Sequence, residues 1–330
     1  MTTNQTASML ETLGFNTMGF ETSLTNAAGL IGRITRQDRQ RYTVITGLGT
    51  LRATLTTGQR FSRGKVLTPI VGDWVTLLEP STSDGLHPIK SILPRRSQLS
   101  RRAAGDANQE QVLVANPDIV FVVSGLDQNF NVNRIERFLA VAWSCGLPAV
   151  LILSKADLCN DLDDRLIRVQ SIVHGTPIYP VNMHDPKTLT GVLSHLSSGL
   201  CAALMGSSGV GKSTLLNQLL GSEHMATQPV RAFDDKGRHT TTHRELCLLP
   251  NDQGLVIDTP GMREAQIWFQ EAPFQKRYGE LFLTRDQCRF SDCRHLDDPG
   301  CAVRDDAMAD PERRDLWQQY RRLMALKNTQ

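Results

Sequence analysis

The sequence predicts a three-part, largely α/β chain: a small N-terminal β-barrel, a central sheet with helices on both faces, and a short C-terminal metal module ending in a helix. Three observations carry this. Five short strand-like runs with no helical period lie between Leu30 and Leu93. Continuous apolar runs then alternate with amphipathic helical ones as far as Asp258. Finally, Cys288, Cys293, His295 and Cys301 fall within fourteen residues.

In chain order, Met1 to Asn26 is rich in Thr and Asn and lacks a basic start followed by an apolar core. It reads as a flexible extension over residues 1–28 rather than a secretory signal, with a short helix around Ser8–Leu13. The barrel runs are Leu30–Thr35, Tyr42–Thr46, Leu51–Leu55, Trp74–Leu78 and Ile89–Leu93, separated by glycines and polar turns. Five strands of this kind fit an OB-fold over residues 29–100, the barrel that binds oligonucleotides. A sandwich or an SH3-like barrel fits the same pattern. Arg95–Asn108 reads as a basic, mobile linker.

The net charge of +2 hides an asymmetry. Residues 1–105 carry 13 Lys and Arg against 6 Asp and Glu, whereas residues 106–330 carry 23 against 28. The basic end is either a footprint for a phosphate backbone or a solvated face. No stretch approaches ~18 consecutive apolar residues, so no membrane-spanning helix is expected. Seven cysteines without a signal segment argue against a disulfide framework. The expectation is a cytoplasmic, monomeric protein.

From Asp118 the runs are Asp118–Val123 (strand), Val132–Trp143 (helix), Ala149–Leu153 (strand), Asp161–Val173 (helix), Pro177–Val181 (strand) and Lys187–Leu196 (helix). Leu200–Met205, Arg244–Leu249 and Gly254–Asp258 complete the strands. The central domain spans residues 101–270 and the last part residues 271–330.

The strand Leu200–Met205 feeds Gly206-Ser207-Ser208-Gly209-Val210-Gly211-Lys212-Ser213-Thr214, a full match to G-x-x-x-x-G-K-[ST], and a helical run follows. Glycines let the backbone curl so that its N–H groups cradle phosphate oxygens, and the helix start adds partial positive charge. Lys212 then reaches the outer phosphates and the Ser213 hydroxyl ligates magnesium. Two further motifs sit at strand ends: Ser154-Lys155-Ala156-Asp157 and Asp258-Thr259-Pro260-Gly261. The Asp157 carboxylate suits the N–H and amine of guanine. Adenine lacks that donor pair, so binding it would leave the acceptor unpaired. Lys155 can lay its stem over the base. Asp258 can hold magnesium through water, and the Gly261 N–H can approach the γ-phosphate. Thr240 and Thr241, in Gly237-Arg238-His239-Thr240-Thr241-Thr242, can complete the magnesium shell while GTP is present.

The base-reading motif precedes the phosphate loop by about fifty residues, the reverse of ordinary GTPases. One site can still form if the chain is circularly permuted. In this order of motifs, with Val71-Gly72-Asp73-Trp74-Val75 in the barrel and the C-terminal Cys/His cluster, the sequence resembles the ribosome small subunit-dependent GTPase A family (RsgA, also called YjeQ). That resemblance implies an OB barrel, a permuted GTPase domain and a zinc domain. It also implies docking on the small ribosomal subunit and its rRNA during late maturation, with subunit-stimulated hydrolysis of GTP to GDP.

Two departures stand out. The family's Asn-Lys-x-Asp is Ser154-Lys155-Ala156-Asp157 here, and the shorter side chain is expected to miss the amide's bridge to the phosphate loop, weakening guanine binding. Val181-Asn182-Met183 replaces the usual Ser-Ala loop around the base. Where many GTPases carry a water-orienting Gln, Met262 stands, so intrinsic turnover is expected to be slow. His239 and His243 are candidates for the missing group, as is the partner; surface histidines in a loop are the plainer reading.

Cys288, Cys293, His295 and Cys301 give C-x4-C-x-H-x5-C, three thiolates and an imidazole suited to one closed, structural zinc site. Asp310 can cap a helix starting at Pro311 whose Arg313, Arg314, Arg321, Arg322 and Lys327 either touch RNA or face solvent. A P-loop ATPase or kinase with an RNA-binding barrel, and a non-hydrolysing RNA-binding scaffold, are the competing functions.

Overall fold

The computed structural model describes residues 9–19, 30–55, 68–80, 84–103, 106–221, 244–259 and 266–328. Strands β1 (Leu30–Asp38), β2 (Arg41–Thr46), β3 (Gly49–Thr54), β4 (Trp74–Leu77) and β5 (His87–Ile92) pair in the order β1-β2-β3-β5-β4. Strand β4 pairs again with β1, so the sheet closes. The crossing of β5 to a parallel pairing with β3 is the Greek-key closure of an OB barrel, not a sandwich. Ile34, Val44, Ala53, Trp74, Leu77 and Ile89 are buried in this part of the core.

The central sheet runs β10 (Ile178–Val181), β9 (Ala149–Ser154), β8 (Ile119–Gly125), β11 (Cys201–Met205), β13 (Leu255–Asp258) and β12 (Glu245–Leu248). The first five are parallel and β12 is antiparallel at the end. Strands β8, β9 and β11 are near-continuous apolar runs because both faces are covered. On one face Val120, Val122 and Ala203 share a core with the barrel and with α1 (Val132–Ser144). On the other, Phe121, Val123 and Ala202 pack with Leu215 and Leu219. The Asn131 side chain caps α1 by accepting from the Arg134 N–H at 2.9 Å. After α1, α2 (Leu162–Gln170) follows β9, and the single-turn α3 (Thr190–Leu193) follows β10. Strand β12 also meets β1, with Arg36 opposite Glu245, and so joins sheet to barrel.

Two expectations need correction. Arg95–Asn108 is not a free linker. Residues 98–103 form β6 (Gln98–Ala103), which pairs with β7 (Asp106–Ala115), a hairpin that crosses the expected 100/101 boundary. Its arginines also have work inside the fold. Arg95 makes a bidentate pair with the fully buried Asp73, at 2.7 and 2.8 Å, and Arg96 pairs with Asp118.

The second concerns the extension, which is docked over residues 9–19. Leu13 and Phe15 are buried, and Phe15 meets the Trp74 ring edge-on at 5.1 Å. Burying two such side chains stabilises by about 1.5–3 kcal/mol each, enough to hold one turn in place. The buried Arg33 guanidinium donates to Leu13 O, Gly72 O and Asn116 O, tying extension, barrel and hairpin together. Gly72 has φ of 93°, and a Cβ there would lie 2.0 Å from Ala115 O, which accounts for glycine in Val71–Val75.

The C-terminal basic face lies at the surface, in line with either of its two expected readings. The module comprises α5 (Glu271–Tyr278), α6 (Ala302–Ala309) and α7 (Pro311–Asn328), with a 3-10 segment at Gly279–Gln287. Asp310 caps α7 as expected, accepting from the Arg313 N–H at 2.9 Å. The helix's cations stay at the surface, several of them in ion pairs or against a ring. Arg313 pairs with Asp306, Arg321 with Asp297 and Arg322 with Glu136, while the Lys327 ammonium sits 4.2 Å from the Phe269 ring centre.

Candidate functional site

The phosphate loop leaves the C-terminal end of β11, the middle strand, and enters α4 (Lys212–Leu220). Gly209 and Gly211 take φ of 76° and 96°, a left-handed backbone that glycine alone adopts without cost. A Cβ on Gly206 would lie 2.3 Å from Val123 O, so the loop rests directly on the end of β8. The Lys212 ammonium is folded inside the loop, donating to Gly206 O at 3.0 Å and Ser207 O at 2.8 Å. Burial pushes it down to about 8, against the pull of Asp258.

Asp258 ends β13, beside β11, and is fully buried. Burial raises its carboxyl to about 6, with the Lys212 ammonium pulling the other way. Neither carboxylate oxygen completes a hydrogen bond among the described residues. A buried, unsatisfied carboxylate next to a phosphate loop is poorly solvated as it stands and well placed to serve a hydrated cation. Thr259 anchors the turn by donating to Leu204 O at 2.5 Å.

The base-reading turn leaves the end of β9. Lys155 has φ of 61°, and its ammonium donates to Asp127 Oδ2 at 2.6 Å and Gly209 O at 3.0 Å. The Ser154 hydroxyl donates to Val210 O at 2.5 Å. This reverses the expectation for Ser154. The β9 terminus and the phosphate loop approach closely enough for the shorter side chain to make the bridge: a Cβ on Gly211 would lie 3.5 Å from Ser154 Oγ.

Asp157 is exposed and lines a cleft of about 520 Å³ with Ser154, Lys155, Gly211 and Thr214. Asp127, Gln128, Asn129, Leu158, Met183 and His184 complete the wall. The replaced loop therefore still borders the cleft. Asn182 holds it, accepting from the His184 N–H at 2.9 Å. Ala156 begins the one-turn 3-10 segment that carries Asp157. Asp127 and His184 were not singled out from sequence, and no local motif marks them. Thr240, Thr241 and Gly261, with His239, His243 and Met262, lie outside the described residues.

About the Cys/His cluster, the ligand atoms of Cys288, Cys293, His295 and Cys301 lie within 4.8 Å of one another. His295 Nδ1 faces the sulfurs of Cys288 and Cys301 at 3.5 and 3.8 Å. Metal–sulfur bonds of about 2.3 Å in a tetrahedron place ligand atoms about 3.3–3.8 Å apart, so the set fits one metal ion after small adjustments. Helix α7 braces the loop: Trp317 donates to His295 O and Tyr320 to Arg294 O, each at 3.0 Å. Cys301 also caps α6, accepting from the Arg304 N–H at 3.4 Å.

The strand carrying the phosphate loop stands fourth in the central sheet's sequence but in its middle, between β8 and β13. Strand order and loop together make this a P-loop GTPase of the circularly permuted kind. Comparison with known proteins agrees. The RsgA GTPase family model matches residues 92–268. The chain is 40% identical to small ribosomal subunit biogenesis GTPase RsgA 2 of Lactiplantibacillus plantarum, over 87% of this chain and 81% of that protein. It is 37% identical to RsgA 1 of Listeria innocua, over 96% and 90%. The crystal structure of YjeQ from Thermotoga maritima superposes with a TM-score of 0.59 at 25% identity, covering 89% of this chain and 98% of that one. YloQ, described as a circularly permuted GTPase, shares the fold with a TM-score of 0.57 at 21% identity, covering 94% and 99%. The chain belongs to the RsgA GTPase family.

Proposed function

We propose that this GTPase docks on the small ribosomal subunit, assists its late maturation, and hydrolyses GTP to GDP and phosphate when the subunit stimulates it. The observation that carries the reading is convergence. Two segments about fifty residues apart in sequence line one cleft, and the Lys155 ammonium joins them by reaching Gly209 O. In this reading Ser154–Asp157 receive the guanine and Gly206–Thr214 cradle the phosphates. Ser213, Asp258, Thr240 and Thr241 serve magnesium, and Gly261 senses the γ-phosphate. Met262 leaves the attacking water without the usual amide, so the partner supplies or orders the missing group. The relatives' names, which specify small ribosomal subunit biogenesis, support the choice of partner.

Zinc is the ion proposed for Cys288, Cys293, His295 and Cys301, because three thiolates and one imidazole fill a tetrahedron and leave no position for a reactive water. Among the described residues no helix is long and apolar enough to cross a membrane, in keeping with a cytoplasmic monomer at the ribosome. Contact with rRNA would fall to the barrel and the zinc module. We keep the working division at residues 29–100, 101–270 and 271–330, with the β6–β7 hairpin bridging the first boundary.

The test is phosphate release from GTP and from ATP, with and without purified small ribosomal subunits. GTP-selective release, slow alone and strongly raised by the subunit, is expected. ATP turnover at a comparable rate, or no turnover with subunits present, would overturn the reading.

A further inference from the structure

The loop that follows β8 carries a carboxylate which the known motifs do not use. Asp127 Oδ2 accepts from the Lys155 ammonium at 2.6 Å, and Asp127 Oδ1 accepts from the Asn129 N–H at 2.9 Å. Its backbone carbonyl accepts from Arg165 on α2 at 3.2 Å, and Arg165 is itself fixed by Asp161 at 2.8 Å. Besides the lysine bond, then, one carboxylate oxygen and the backbone carbonyl of Asp127 are each fixed. Both partners of the pair are mostly shielded, with side chains 16% and 18% exposed for Lys155 and Asp127.

We propose that Asp127 is the positioning residue of the base-binding half of this site: it pins the Lys155 ammonium so that the lysine stem lies along the cleft wall where the purine ring packs. The inference rests on the proposed guanine site. A lysine stem has four rotatable bonds and loses rotamer freedom when it packs on a base. Lys155 has two anchors, Asp127 and Gly209 O, and only Asp127 is charged. The bond to Asp127 joins two opposite charges in a shielded setting, whereas the Gly209 carbonyl offers the ammonium only a dipole. Burial alone would raise the Asp127 carboxyl, but the Lys155 and Asn129 bonds outweigh it and leave it below the usual range, so the carboxylate is ionised at neutral pH. Asp127, Lys155 and Asp157 all line the same cleft, so the anchor sits on the base side, while Lys212 and Asp258 serve the phosphate side.

The positions are separable by ligand. Asp127→Ala, Asp127→Asn and the unsubstituted full-length chain are compared for equilibrium binding of GDP and of inorganic tripolyphosphate, which has phosphates and no base. Asp127→Ala is expected to weaken GDP binding by about tenfold and leave tripolyphosphate within about twofold. Asp127→Asn, whose amide oxygen still accepts, is expected to recover part of the loss. Equal weakening of both ligands would mean that Asp127 only supports the loop, and unchanged GDP binding would mean that it positions nothing; either result overturns the inference. A failure of the guanine site itself is distinguishable, because GDP and ADP would then bind the unsubstituted chain equally.

Discussion

Asp258 shows how one buried atom pair sets the site's energetics. Its carboxyl is raised to about 6 from the ordinary 3.8, so the folded protein holds that proton more tightly than the unfolded chain does. Stability from this group is therefore present below about pH 4, is lost as pH rises toward 6, and stays lost above it. A shift of about two pH units corresponds to about 3 kcal/mol. Asp258→Asn should therefore stabilise the nucleotide-free protein at pH 7.5 by up to about 3 kcal/mol, with the difference shrinking toward pH 4, while magnesium-dependent GTP binding falls. Denaturant unfolding across this pH range checks it; a variant no more stable than the parent at pH 7.5 would show that the carboxylate is already satisfied without a cation. Residue identity also misled the sequence reading once. Ser154 was expected to be too short to reach the phosphate loop, yet its hydroxyl lies 2.5 Å from Val210 O. A side chain's reach is legible in sequence, but the backbone separation it must span is not.

The elements that were legible are those whose burial writes a pattern. Strands β8, β9 and β11 are apolar because both sheet faces are covered, and the barrel strands alternate with glycine-bearing turns. The β6–β7 hairpin was hidden because Gln98, Ser100, Arg101 and Arg102 look like a solvated linker. Their strand character comes from pairing with 110–115 rather than from an apolar face of their own. The docking of residues 9–19 was hidden for a related reason: the burial of Leu13 and Phe15 depends on Trp74 and Arg33 far along the chain. At the C-terminus, four ligands hold a loop that has little apolar core of its own, and α6 begins at the ligand Cys301. Removing the metal with a strong chelator should melt the packing of α6 and α7 while nucleotide binding persists. Loss of near-ultraviolet circular dichroism from Trp317 and Tyr320, with GDP affinity held, is the expected pair of readouts. An unchanged spectrum after verified metal removal would mean that α7 packing alone holds the loop.

Across the whole molecule, permutation explains why the site has the shape it has. The guanine side is built first, from β8 to β10, and the phosphate side second, from β11 to β13. Strand β12 then touches β1, so the end of the catalytic sheet that carries Asp258 is joined to the barrel through Arg36 and Glu245. Of the basic surplus in residues 1–105, Arg95 and Arg96 are engaged within the fold by Asp73 and Asp118.

All of this depends on guanine being read by Asp157 across a cleft assembled from two distant segments. Xanthine carries a carbonyl where guanine carries its amine, so an amide donor in place of the carboxylate should favour it. The decisive measurement is competition between GTP and xanthosine triphosphate for the unsubstituted protein and for Asp157→Asn. Preference for GTP in the former and a reversed preference in the latter, each by at least about tenfold, is the expected result. An Asp157→Asn variant that keeps the parent's preference for GTP would contradict it, because the base would then be held somewhere other than this cleft.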